Sequence, residues 1–296
     1  MKQPLVSIVI LNWNGLNDTK VCLDYVRKLD YKEKEIVLVD NGSSQKEKDY
    51  LAREDGIIFV SNPTNLGFTG GHIKGLEHCS GDFIFLLNND AVVKSNYITE
   101  ALKDFDDPNV GIVGGRAYFW DERHAILDEN NPFYTYQNID IHTAEAFMQT
   151  TDQGIKQEVN NLSGSAIIVR KSAIDKVGYL YKPFFAYFEE TDLASRMKRA
   201  NYKVLYDPGL HIWHRGGASS GANTGSYFFF YHIFRNRFVF ATRNFERSYM
   251  FKFWLHFLKT GLLSFIKLLF SKENHTMHKA YFLAFLYCVI TSPSLH

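Results

Sequence analysis

Four short apolar runs, at residues 6–11, 35–39, 56–60 and 82–87, each stop abruptly in polar residues, and this constrains the fold more than anything else in the chain. Runs of that length, rich in Val and Ile and apolar at consecutive positions, read as strands buried on both faces. Between them, apolar residues recur at helical spacing over 18–29 (Cys22, Tyr25, Val26, Leu29), and 70–78 reads as a second helix. Strand–helix alternation at this pitch predicts an α/β fold with a mostly parallel sheet. The strands run into Asn12-Trp13-Asn14-Gly15, Asp40-Asn41-Gly42-Ser43, Asn62-Pro63 and Asn88-Asn89-Asp90. That carboxyl edge is where open α/β sheets bind ligands.

Further along, 111–113 and 166–169 read as strands, 193–200 as a helix and 203–206 as a short strand leading to His211-Ile212-Trp213-His214. The stretch 121–157 is polar without a clean period and reads as a loop or substrate flap. Residues 216–225 form a Gly/Ser/Ala-rich linker with four glycines. The expected division is a body, 1–215, and a tail, 216–296.

Charge supports that division. The whole chain has a net charge of only +1, which argues against nucleic acid as its partner. The 81 residues after position 215, however, carry nine Lys and Arg against two acids, and 20 of the 46 aromatic residues. A basic, aromatic tail on an acidic body predicts an anionic membrane surface as partner. Within 250–270, Lys252, His256, Lys259 and Lys267 fall within an arc of roughly 80° at ~100° per residue, on an otherwise apolar helix. This pattern predicts a helix lying in the membrane interface; packing on the body and a true span are the competing readings. The three cysteines form no metal pattern and fit a reducing compartment, and the amino terminus shows no secretory signal, so a cytoplasmic, peripheral location is expected. A homodimer is left open.

Three places carry candidate chemistry. Asp90, at the end of a strand, suits a hard divalent cation such as Mg²⁺ or Mn²⁺, although Asn and Asp are also ordinary turn residues. His214, or His211, at another strand end would complete such a site. Glu189, Glu190 and Asp192 open a helix directly after an aromatic run; acids there complement the helix dipole, but three in four positions exceed what capping requires, so one is expected to act as a general base. Asn65-Leu66-Gly67-Phe68-Thr69-Gly70-Gly71 turns into a helix whose amides could meet phosphate. Residues 160–164, with Ser163 and Gly164, are placed at a second, acceptor pocket.

Taken in order, Val6-Ser7-Ile8-Val9-Ile10-Leu11-Asn12-Trp13-Asn14, Val39-Asp40-Asn41-Gly42-Ser43, Asn65-Leu66-Gly67-Phe68, Leu87-Asn88-Asn89-Asp90, Asn161-Leu162-Ser163-Gly164 and Phe188-Glu189-Glu190-Thr191-Asp192-Leu193 carry a resemblance. Over about residues 5–245 the chain resembles family 2 inverting glycosyltransferases of the GT-A fold, in particular the rhamnosyltransferase-like and galactofuranosyltransferase-like branch. The resemblance implies a nucleotide-binding sandwich with a mostly parallel central sheet, followed by C-terminal amphipathic helices. It implies that Trp13 and Asp40 contact the base and nucleoside of a UDP- or dTDP-sugar, with Asn65, Gly67, Asn88 and Asn89 nearby. Asp90 and His214 would hold Mn²⁺ or Mg²⁺ on the diphosphate, and Glu190 would deprotonate the hydroxyl of a saccharide or lipid-linked saccharide acceptor. The chain departs from the pattern at Asn88, where the first acid of a DxD motif is expected, at Glu190, where Asp is usual, and at His72, where Asn is usual. A glycoside hydrolase and a non-catalytic membrane-bound partner protein remain as other readings.

Overall fold

The computed structural model describes residues 3–120, 127–130, 133–140, 142–215, 226–270 and 276–291. The first half is built from β1 (Val6–Asn12), α1 (Leu16–Arg27), β2 (Lys34–Asn41), α2 (Gln45–Leu51), β3 (Ile58–Asn62), α3 (Gly67–Leu76) and β4 (Phe83–Asn88). There follow β5 (Ala91–Val93), α4 (Tyr97–Asp104) and the long β6 (Val110–Phe119). Three short strands, β7 (Phe133–Tyr134), β8 (Tyr136–Ile139) and β9 (Ala146–Met148), occupy part of the stretch expected to be a loop. Then come β10 (Gln157–Glu158), β11 (Asn161–Leu162), β12 (Ala166–Arg170), α5 (Lys171–Val177), α6 (Glu189–Arg199) and β13 (Lys203–His214). The tail forms α7 (Tyr227–Asn244), α8 (Arg247–Phe270) and α9 (Thr276–Thr291).

The main sheet runs β10-β13-β6-β12-β4-β1-β2-β3. Strand β1 pairs in parallel with β2 and β4, β2 with β3, and β6 with β13; β12 runs antiparallel between β4 and β6. The expected mostly parallel sheet is therefore present. Its central strands are apolar at consecutive positions because helices cover both faces. With a side-chain period of two, Ile8, Ile10, Leu38 and Phe85 face one core while Val9, Val39, Ile84 and Leu86 face the other. Strand β13 is longer than its expected four residues because it continues through Trp213, which stacks on Tyr118 of β6.

The tail is not a separate unit. Phe234, Phe238 and Phe240 of α7 share one core with Phe184 and Phe188, which lead into α6, and with Phe253, Phe257, Ala284 and Cys288 of α8 and α9. The expected boundary at 215/216 thus does not separate two cores; the linker 216–225 lies outside the described residues. Ser226 caps α7, its hydroxyl accepting from the Phe229 amide at 3.1 Å.

Helix α8 has three faces. Phe253, Phe257, Gly261 and Ser264, spaced three and four apart, are buried; Gly261 lets α9 approach closely, as a Cβ there would meet the Phe285 ring at 2.6 Å. Phe251, Leu255, Leu258, Leu262, Phe265 and Leu269 are exposed. Lys252, Lys259 and Lys267 lie exposed beside them, whereas His256 turns inward to the Arg237 guanidinium at 3.3 Å and leaves the expected stripe. Among the described residues, α8 is the one helix long and apolar enough to cross a membrane.

Candidate active site

The carboxyl ends of β1, β2, β4 and β13 and the start of α6 surround a cavity of about 470 Å³. On one side stand Trp13 after β1, Asn41 at the end of β2, and Asn65 and Gly67 at the turn into α3. This wall is held by amides. Asn41 accepts from Asn62 Nδ2 (3.0 Å) and the Leu66 amide (3.1 Å), and donates to Asn65 Oδ1 (3.0 Å) and the Gly67 carbonyl (3.0 Å). Gly67 has a φ of +74°, and a Cβ there would lie 2.4 Å from the Phe185 carbonyl oxygen, so both conformation and space require glycine. Asp40, in contrast, is fully buried and does not line the cavity. Its carboxylate accepts from Asn12 Nδ2 at 3.2 Å and from the Ser43 amide at 3.3 Å. Asp40, expected at the nucleoside, thus lies beside the cavity wall on the same sheet face as its register partner Asn12, where it orders the loop carrying Trp13.

At the centre, His214 Nε2 lies 3.2 Å from Asp90 Oδ1 and 3.3 Å from Asn88 Nδ2. Its other nitrogen meets the Tyr134 hydroxyl at 2.7 Å. Burial works against the imidazolium, but with no metal bound Tyr134 and Asp90 favour it and push the pKa up to about 10; a bound cation takes the neutral imidazole and displaces that proton. Asn88 Oδ1 is buried and has no hydrogen-bond partner among the described residues. One carboxylate, one imidazole and one orphaned amide oxygen fit a hard divalent cation that takes its remaining ligands from a diphosphate and water. No three His, Cys, Asp or Glu side chains among the described residues are placed to hold one metal ion, so the described residues supply only part of a coordination shell. Asn89 lines the same cavity, its amide donating to Thr19 Oγ1 at 3.0 Å. His211 takes no part: three positions before His214 on β13, it shares the Trp213 face and binds Glu129 at 2.8 Å.

On the far side, Glu189 and Glu190 open α6 and both line the cavity, with Ser163 and Gly164 opposite. A Cβ on Gly164 would be 3.6 Å from the Glu190 carboxyl carbon, so the glycine leaves room above that carboxylate. Burial pushes the Glu190 pKa up to about 7, although the backbone amides of Glu190 and Thr191 oppose the shift. Glu189 is deeper, and burial first, then its neighbour Glu190, raise its pKa well above the usual carboxylate value. A carboxylate that titrates near neutrality is suited to general-base work. Asp192, also expected as a candidate, is fully buried away from the cavity. Its oxygens bind Arg196 Nε (2.8 Å), Arg243 Nε (3.0 Å) and Asn244 Nδ2 (2.9 Å), and although burial opposes ionisation the two guanidinium groups and the amide hold its pKa below the usual value. Its role is to join α6 to α7.

Sequence reasoning missed Tyr134, which orients His214, and the aromatic wall of Phe185, Tyr187 and Phe228. Tyr134 lies in a stretch with no period to mark it. Phe228 sits where an apolar tail helix gave no sign of facing a polar cavity. His72 is fully buried on α3, its ring tilted against Phe68 at a centroid distance of 4.3 Å, and burial lowers its pKa to about 3; it is a neutral packing residue outside the cavity.

A mixed α/β sandwich with a metal-compatible pair at one strand edge and a buried carboxylate facing it defines a glycosyltransferase of the GT-A class. Residues 7–178 match glycosyl transferase family 2, more than half of the chain, and the protein belongs to that family. It is 24% identical over 250 residues to the low-salt glycan biosynthesis hexosyltransferase Agl10 of Haloferax volcanii, covering 82% of this chain and 77% of that protein. It is 22% identical over 212 residues to the poly-beta-1,6-N-acetyl-D-glucosamine synthase of Staphylococcus epidermidis, covering 70% of this chain but only 49% of the synthase. The chain thus spans about half the length of that relative. Its fold is similar to that of the mannosyltransferase PcManGT of Pyrobaculum calidifontis, solved with GDP-Man and Mn²⁺, at a TM-score of 0.60 and 14% identity over 99% of this chain and 88% of that one. The chain is accordingly a glycosyltransferase of family 2.

Proposed function

We propose that this enzyme is an inverting, metal-dependent transferase that moves a hexosyl or deoxyhexosyl group from a UDP- or dTDP-sugar to a hydroxyl of a saccharide or lipid-linked saccharide. The observation that carries the reading is the convergence of Asp90 and His214 with Glu190 on one cavity. Trp13, Asn41 and Asn65 would bind the nucleoside and hold the donor in register. Asp90, His214 and Asn88 would hold Mn²⁺ or Mg²⁺, which when bound neutralises the charge on the departing nucleoside diphosphate. Glu190 takes the proton from the acceptor hydroxyl as its oxygen attacks the anomeric carbon. The glycosidic bond to the diphosphate breaks on the opposite face, so the configuration inverts in one displacement. The motif resemblance to the rhamnosyltransferase-like branch supports a deoxyhexose donor, and the Agl10 likeness supports a hexose.

The exposed apolar face of α8, bordered by Lys252, Lys259 and Lys267, supports peripheral attachment to the inner face of the cytoplasmic membrane, where a lipid-linked acceptor would sit. The deciding experiment is a panel of UDP-, dTDP- and GDP-sugars incubated with Mn²⁺ or Mg²⁺ and scored for nucleoside diphosphate release. Release only with an added saccharide acceptor supports transfer. Cleavage of a simple glycoside without any nucleotide would support a hydrolase instead.

A further inference from the structure

Helix α7 buries three consecutive polar side chains, Arg235, Asn236 and Arg237, in an aromatic core. Asn236 is fully buried, and its Nδ2 lies 2.9 Å from the Phe184 carbonyl, 2.7 Å from that of Ala186 and 2.9 Å from that of Tyr187. Carbonyl oxygens only accept, so this cluster fixes which end of the amide carries the hydrogens, and the two hydrogens of Nδ2 are shared among the three oxygens. Arg235 secures the arrangement, donating to Asn236 Oδ1 at 2.6 Å and to the Pro183 carbonyl at 2.8 Å.

The segment so held is strained. Phe185, Tyr187 and Phe188 have φ of 65°, 71° and 74°, left-handed values that bulky residues rarely adopt. Such backbone persists only where its surroundings over-determine it. Here α3 contributes from one side, the Thr69 amide donating to the Phe185 carbonyl at 3.1 Å, and Asn236 from the other. Phe188 is the capping residue of α6, so the next two residues along the chain are Glu189 and Glu190.

We propose that Asn236 is a positioning residue for the acceptor-side carboxylate: by sharing its two amide hydrogens among the carbonyls of the left-handed turn 184–188, it sets the direction in which Glu190 enters the cavity. The amide does not line the cavity and acts only through the backbone. The clamp also explains why α7, which lies beyond the family-matched residues 7–178, belongs to the working enzyme. The assignment deepens the proposed function and rests on it where Glu190 is taken as the base.

The test uses the full chain with Asn236→Ala and Asn236→Ser, the latter keeping one donor hydrogen. Hydrogen exchange should quicken in peptides spanning 183–190 while the β1 and β4 core stays protected. With Mn²⁺ and whichever sugar nucleotide the wild type turns over, kcat should fall by roughly 10–100-fold for Asn236→Ala, as expected of a small misplacement. Asn236→Ser should fall between Asn236→Ala and wild type, and the KM for the donor should stay within about threefold, the range left by a change that spares uniform binding. In a Glu190→Gln background, Asn236→Ala should cost little more, because both changes disable the same group. Unchanged exchange at 183–190, an equal loss of kcat in the Glu190→Gln background, or failure of both variants to fold would each overturn the assignment. Absence of wild-type turnover on every sugar nucleotide would count against the transferase reading, and exchange alone would then decide the clamp.

Discussion

Gly67 packs directly on the Phe185 carbonyl oxygen, leaving no room for a Cβ, which would sit 2.4 Å away. This contact joins the turn on the donor side of the cavity to the strained segment that delivers Glu190. Gly67→Ala meets both the contact and a φ of +74°. The left-handed backbone by itself costs about 1–2 kcal/mol for a non-glycine residue. Thermal melting should show a loss of several degrees, and activity of the folded enzyme should fall because the turn must move. An alanine variant with wild-type melting and turnover would show that the two sides are not coupled.

Replacing Glu190 by Gln keeps size and removes the proton acceptor. Steady-state kinetics should show kcat lowered by roughly 10²–10⁴-fold with donor affinity retained. Asp192→Asn should behave differently. It strands Arg196 and Arg243, so the effect should appear in the melting temperature, breaking a buried pair being worth about 3–5 kcal/mol. A large kcat loss in a well-folded Asp192→Asn, with Glu190→Gln active, would reverse the assignment.

The pH profile follows from the same carboxylate. Glu190 accepts a proton only when ionised, so kcat should rise through pH about 7 and level off above it. Stability runs the other way. The folded-state pKa lies above the unfolded value, so the native state binds the proton more tightly. That stabilisation is complete below the unfolded pKa and is lost as pH rises through about 7. Glu190→Gln should therefore flatten the kcat profile and melt above the wild type at pH 8 but not at pH 4. Paired pH–rate and melting curves check both signs.

Asp90→Ala should abolish turnover while the far-ultraviolet circular dichroism stays unchanged, and excess EDTA should silence the wild type until Mn²⁺ is restored. Tyr134→Phe is the finer probe. It removes the hydroxyl 2.7 Å from His214 Nδ1, and loss of such an outer partner weakens metal affinity by roughly 10–100-fold. Titration of activity with Mn²⁺ should show the half-saturation point raised by about that factor, with the plateau nearly restored. Full wild-type activity in EDTA would remove the metal from the mechanism.

Changing Lys252, Lys259 and Lys267 together to Glu should release the protein from anionic vesicles, since each lysine near such a surface contributes about 1 kcal/mol. High salt should weaken wild-type binding in the same co-sedimentation assay. Donor turnover on a soluble acceptor should persist, because none of these three lysines lines the cavity. Equal binding to neutral and anionic vesicles, untouched by salt or charge reversal, would argue for a span or for protein packing.

The strand ends and their order were legible in the chain because they are local. Consecutive apolar residues bounded by Asn, Asp and Gly specify buried strands and the turns after them, and the order of the motifs brought Trp13, Asn65, Asp90, Ser163 and Glu190 to one sheet edge. The surface of α8 was equally legible, since helical spacing alone separates its lysines from its leucines. Direction and partnership were not. Which of three neighbouring acids faces the cavity depends on how α6 is rotated, and that is set by Arg243 and Asn244, some 51 and 52 residues further along, drawing Asp192 away. Asp40 was read as a nucleoside contact, and its bond to Asn12 on the neighbouring strand is a partnership that only the sheet register shows. Tyr134 reaches His214 across 80 residues, and Asn236 reaches the Tyr187 carbonyl across 49, from segments whose composition carries no mark of the site. A sequence encodes what neighbours along the chain can enforce; the burial that shifts Glu190, the partners that neutralise Asp192 and the clamp on the left-handed turn exist only once distant elements have packed.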